Sequence, residues 1–168
     1  MEVHLYAMAL RRDAKRLAEQ VEGEALTCWD FGPAVLLYRQ AVELELKMLA
    51  DAGDRFPGER IDPSSLSSTR SVRWLAQIVC RIVKAVGWEH AFTCDGVGNL
   101  AEFRSAMEEL QLLDPVTRAT VGDARPFEIR AFVSRMESLL DLLSSTRDGL
   151  AATWDLLHDG LAANPTIQ

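Results

Sequence analysis

The chain has 168 residues, enough for one domain with a substantial core. Hydrophobic residues make up 48% and charged residues 26%, a globular composition and not a disordered one. The formal net charge of −7 excludes the global basic field of a non-specific nucleic-acid binder, although not a local basic patch.

The N-terminal stretch "MEVHLYAMALRRDAKR" lacks the uninterrupted apolar run of a signal peptide, and no segment approaches the roughly 18 to 20 apolar residues of a membrane span. Val3, Ala7, Leu10, Ala14, Leu17 and Val21 instead recur in steps of four and three, which predicts a first helix with one buried stripe. Arg11, Arg12, Lys15 and Arg16 fall on its outer face, and Gly23 is a plausible stop.

Pro33 suits the first turn of a second helix, with Asp30 nearby as a cap. Ala34, Leu37, Ala41, Leu44 and Met48 make one apolar seam, and Val35, Val42 and Leu49 a second. Two seams predict a helix between neighbours. The strip left over carries Arg39, Glu43 and Lys47 at intervals of four. Such spacing makes a ladder of ion pairs, worth a few tenths of a kcal/mol each, or a polar track along an inter-helix groove.

Residues 51 to 69 hold two prolines, two glycines and a serine cluster, the pattern of a long connection with one short helical turn after Pro63. A third helix is predicted over residues 69 to 86 on the stripe Val72, Leu75, Val79, Ile82 and Val86. No acid occurs from residue 63 to 88, so Arg70, Arg73, Arg81 and Lys84 form a purely basic ridge. Arginine forks on such a ridge suit phosphate. The plainer reading is a solvated face paired with Glu102, Glu108 and Glu109 or with the acidic last helix.

Asn99 is a candidate cap for a fourth helix carrying Leu100, Phe103, Met107, Leu110 and Leu113. After a polar connection at 114 to 126, the longest pattern runs from 127 to 162. Its stripe passes through Val133, Met136, Leu140, Leu143, Leu150, Trp154, Leu157 and Leu161, with Arg147 as the one break and Gly149 as a potential kink. A helix of that length is expected to overhang a small bundle and to offer its end to another chain. The whole predicts an all-α protein, an up-and-down four-helix bundle with an accessory helix and a long C-terminal helix. A single helical domain is expected over residues 1–163, with a disordered tail at 164–168.

Chemistry-bearing motifs are few. Cys28, Cys80 and Cys94 are odd in number and form no CxxC, which points to reduced thiols in a cytoplasmic protein. None of His4, His90 and His158 has a glutamate three residues before it; Asp155 with His158 makes a single surface pair, and no metal or cofactor is expected. Cys94 near His90 reads as a half-buried thiol beside an exposed imidazole, and "DGVGN" lacks the lysine of a phosphate loop.

"PAVLLYRQAVELELKML", together with "LDPVTRATVGDARPFEI" ahead of the long last helix, resembles HEPN-like bacterial helical proteins over residues 31–50 and 107–147. The resemblance implies a four-helix bundle, often dimeric, of the kind used in prokaryotic defence, toxin–antitoxin and RNA-processing systems. Many such proteins are ribonucleases whose motif is an arginine, four to six residues, then a histidine on one helix. Here His90 follows Arg81 by nine positions, His158 follows Arg147 by eleven, and no arginine precedes His4. The motif is missing. The expectation is therefore a non-catalytic HEPN-like binding or assembly module, a homodimer without membrane contact. It would present a charged groove at Tyr38, Arg39, Glu43 and Lys47 to RNA, nucleotide or a protein partner. The alternatives are a ribonuclease or nucleotide-acting enzyme built on Arg39, Glu43 and the ridge with His90, and a scaffold or inhibitor subunit with one protein partner.

Overall fold

The computed structural model describes residues 2–21, 31–56, 61–113 and 128–162. The three-four apolar periodicity becomes six helices among these residues: α1 (Glu2–Val21), α2 (Gly32–Gly53), α3 (Pro63–Ser68), α4 (Val72–Ala85), α5 (Leu100–Leu112) and α6 (Ile129–Ala162). Among the described residues the only β feature is an isolated bridge between Cys94 and Val97, so the protein is an all-α helical bundle. No described helix is long and apolar enough to cross a membrane. The predicted Gly23 stop, the Asp30 cap, Cys28, the connection at 114–126 and the tail at 164–168 lie outside the described residues.

Local chemistry sets the helix starts. Asp62 accepts a hydrogen bond from the Ser64 amide and caps α3, and Ser71 does the same for Trp74 at the head of α4. Asn99 accepts from the amides of Ala101 and Glu102 at the start of α5. Glu102 reaches back to the Gly98 amide at 2.7 Å, so two sets of orphan donors are satisfied together.

Helix α2 is the central element. It packs against α1, α4 and α6, and α4 in turn carries α5. Its buried residues include Val35, Tyr38, Val42, Leu46 and Leu49, which join those of the other long helices in one hydrophobic cluster, and Glu45, buried beside them. Leu37, Leu44 and Met48, expected in the core seam, are only half-buried. The inward face is thus rotated toward Tyr38 and Glu45. At its end α2 lies hard against α4: a Cβ on Gly53 would sit 2.4 to 2.8 Å from three carbons of Ile82. Only a glycine permits that approach.

Helix α6 is continuous through Gly149, where the sequence suggests a kink. The glycine instead leaves a bare patch for Trp88, whose ring edge would be 3.1 Å from an added Cβ. Contacts fix direction. Tyr38, Glu45 and Phe56 on and after α2 meet Glu137, Arg147 and Trp154 in the same order, so α6 runs parallel to α2. Arg11 meets Asp141 and His4 meets Arg147, so α1 is antiparallel to α6.

Candidate functional site

Three groups of charges involve α2, and their geometry separates structural charges from available ones. The first group joins α1, α2 and α6. Glu137 accepts from the Tyr38 hydroxyl at 2.9 Å with one oxygen and from the Arg11 guanidinium at 2.8 and 3.0 Å with the other. Arg11 also reaches Asp141 at 2.7 Å. Burial, reinforced by the Glu137 carboxylate, raises the Tyr38 phenol above its ordinary value. Burial opposes the Arg11 cation, but Glu137 and Asp141 more than offset it and its pKa rises. Tyr38 is fully buried and faces α6.

The second group lies further along the same helices. Arg147, the break in the α6 stripe, donates to Glu45 at 2.6 Å. Glu45 is only 5% exposed, and it is the matching break in the buried line of α2. Each charge interrupts an apolar stripe because the other faces it. His4 Nδ1 lies 3.2 Å from Arg147 Nη1 and 3.6 Å from Glu45 Oε1. The rest of the Arg147 fork is taken by Asp148, through Nε at 3.0 Å and Nη2 at 2.9 Å. Burial raises the Glu45 carboxyl despite the attraction of Arg147 and His4.

The third group lines a cleft of about 370 Å³ between α1, α2 and the segment from α3 to the head of α4. Its walls are Tyr6, Leu10, Gln40, Glu43, Leu44, Lys47, Ser67 and Arg70. Lys47 donates to Glu43 at 2.8 Å, with side chains 20% and 13% exposed, so salt screens this pair less than a surface one. Arg70 is exposed and has no acidic partner among the described residues, and the Gln40 amide likewise has no hydrogen-bond partner among them. The site therefore offers one satisfied ion pair, one available guanidinium, one available amide and the exposed ring of Tyr6. Its net charge is positive by one.

The structure brings together two of the four groove residues proposed from sequence, Glu43 and Lys47, and adds Arg70 from the basic ridge. Arg39 is half-buried on the same strip of α2 and outside the cleft lining. Tyr38 is separated from them, turned to Glu137 on another face of α2. The ridge is divided as well: Arg73 pairs with Glu108 at 3.2 Å, while Arg81 and Lys84 are exposed toward the end of α4. His90 is exposed on the connection between α4 and α5. Burial raises the thiols of Cys80 and Cys94, which disfavours their reactive thiolates. Among the described residues no three potential metal ligands cluster. Sequence reasoning passed over Tyr6, Gln40 and Ser67, because nothing in a linear pattern says which half-exposed residues of separate elements will share one hollow. Glu45 did leave a signal, as an acid within an inward line.

Compared with known protein families, curated proteins and solved structures, the chain matches none.

Proposed function

We propose that the chain is a non-catalytic binding module of HEPN-like architecture that works as a homodimer and takes a phosphate-bearing ligand, RNA or nucleotide, in the cleft. The observation that supports this reading is the available Arg70 guanidinium beside the Tyr6 ring and the Gln40 amide, in a cleft where Lys47 is held by Glu43. A guanidinium suits phosphate oxygens. An exposed aromatic face suits a base, and an amide suits its polar edge. A hollow of about 370 Å³ is within the range of small-ligand sites.

The non-catalytic part of the reading rests on how Arg147 is used. It lies 3.2 Å from His4, but Glu45 and Asp148 occupy its donors. An arginine so engaged is poorly placed to receive a phosphate, and His4 beside it turns Nδ1 into the same cluster. The test is fluorescence anisotropy with short single-stranded RNA and with labelled nucleotides, followed by gel analysis of the RNA. Micromolar binding without cleavage is expected. Arg70→Ala is expected to weaken it by roughly tenfold, the scale of one lost charged contact. Cleavage abolished by His4→Ala would refute the non-catalytic reading, and equal binding by Arg70→Ala and Lys47→Ala would remove the cleft from it.

A further inference from the structure

Gln40, Glu43 and Lys47 are spaced by three and four, so they form one line on α2, and all of them line the cleft. The Glu43–Lys47 contact at 2.8 Å cancels two charges but uses a single hydrogen bond from each side. A carboxylate accepts several hydrogen bonds and an ammonium donates more than one, so both keep capacity for a ligand. Among the described residues nothing else donates to Glu43 and nothing else accepts from Lys47. Both side chains are mostly sheltered from solvent, where a polar contact made or missed weighs more than in open water.

The line thus shows a ligand N–H donors beside a carboxylate acceptor. Guanine is the base whose pairing edge fits that order: its O6 accepts, and its N1–H and 2-amino group both donate. O6 takes an N–H of Lys47 or of the Gln40 amide, while N1–H and the 2-amino group donate to Glu43. Adenine and cytosine turn a ring-nitrogen lone pair toward the carboxylate, which repels it. Uracil has one ring N–H between two carbonyls, so its second carbonyl meets the carboxylate. Tyr6, 58% exposed on α1, offers its ring to the face of the base. The exposed Arg70, in the turn between α3 and α4, offers its fork to the phosphate.

We infer that the cleft selects guanine, with Glu43 accepting from N1–H and the 2-amino group of a guanine whose phosphate lies on Arg70. This rests on the reading of the cleft as a nucleotide or RNA site and names the base that reading leaves open. It also gives the carboxylate a role. In a site for phosphate alone Glu43 would only oppose the ligand, whereas against a donor edge it attracts the right base and rejects the wrong ones.

Isothermal titration of the full chain tests it, with GMP, IMP, AMP, CMP and UMP and with short single-stranded RNAs that differ in a single G or A. The guanine ligand is expected to bind tighter than its adenine and cytosine counterparts by about tenfold or more, the scale of one two-pronged contact to a base edge. IMP, which lacks only the 2-amino group, is expected between GMP and AMP. Glu43→Gln is expected to erase the preference without weakening AMP, since it removes no phosphate donor and loosens Lys47; matching circular dichroism melts verify that the variant folds. A preference seen with GMP supports the inference with the free nucleotide as ligand, and one seen in the RNA pair alone supports it with RNA as the source of the guanine. Equal binding of guanine and adenine ligands, or a guanine preference that survives Glu43→Gln, overturns the inference. If Arg70→Ala still weakens binding in that case, the phosphate-binding reading of the cleft stands. Absence of binding by every nucleotide and RNA overturns both.

Discussion

Arg147 Nη1 lies 2.6 Å from Glu45 Oε2 and ties the middle of α6 to the middle of α2. The pair is largely enclosed, with side chains 14% and 6% exposed. Removing one partner leaves an uncompensated charge inside the bundle. Glu45→Leu or Arg147→Leu is expected to destabilise by about 3–5 kcal/mol. Burial already outweighs attraction at Glu45, since its carboxyl is raised and not lowered. The double variant Glu45→Leu/Arg147→Leu is therefore expected to recover most of that loss. Urea melts of the three variants and the wild type, read as a double-mutant cycle, measure the coupling.

The Tyr38 hydrogen bond to Glu137 gives a pH dependence. The folded-state phenol is raised above its ordinary value of 10.0. Its contribution is therefore present in full below that value and is lost as pH climbs beyond it. The chain has two tyrosines, so in a Tyr6→Phe background every phenolate signal belongs to Tyr38. Its ultraviolet ionisation is expected to coincide with loss of helical circular dichroism at alkaline pH. At neutral pH Tyr38→Phe is expected to cost about 1–2 kcal/mol, the hydrogen bond plus a carboxylate oxygen left short of a donor.

Two glycines are predicted to respond differently. Gly53→Ala drives a methyl into Ile82 and is expected to cost about 1–3 kcal/mol, with Ile82→Ala relieving the overlap in the same chain. At Gly149 the neighbour is the rim of the Trp88 ring, which must yield by a few tenths of an ångström. Alanine there also gains up to about 1 kcal/mol of helix propensity. Gly149→Ala is expected to be near neutral, and thermal melts of both variants check the contrast.

The legible part of this fold was its periodicity. The stripes of α4 and α5, the Ala7, Leu10 and Ala14 part of the α1 stripe, the cap Asn99 and the first-turn proline Pro63 follow from local chemistry, because a helix records its buried face in its spacing; Val3, expected in the α1 stripe, is exposed. The frame of α2 was harder. Leu44 and Met48 are apolar and suggest an inward seam, yet the helix turns Glu45 in because Arg147 waits there, about 100 residues away. The strip Arg39, Glu43, Lys47 was visible as the line the core does not claim. What became of it was not: α1 and the segment around Ser67 and Arg70 roof part of it into a cleft, and long-range packing leaves no trace in residue spacing. For the same reason Tyr38, one residue from Arg39, went to the opposite account of buried hydrogen bonding.

The division between engaged and available charges also predicts a salt response. A ligand held by the available Arg70 guanidinium neutralises about one phosphate, so the logarithm of its binding constant is expected to fall with the logarithm of salt with a slope of about −0.7 for single-stranded RNA. A slope several times steeper in a salt titration would mean that the exposed charges of α4, Arg81 and Lys84 included, carry the binding instead.

The central claim is tested most directly by mapping chemical shifts during a titration of the isotope-labelled chain with a nucleoside monophosphate and with short single-stranded RNA. The account predicts that the perturbed amides and side chains gather at Tyr6, Gln40, Lys47, Ser67 and Arg70, while the signals of His4, Glu45 and Arg147 stay in place. Perturbations centred on the His4, Glu45 and Arg147 cluster or on the far end of α4, or none at millimolar ligand, would contradict it.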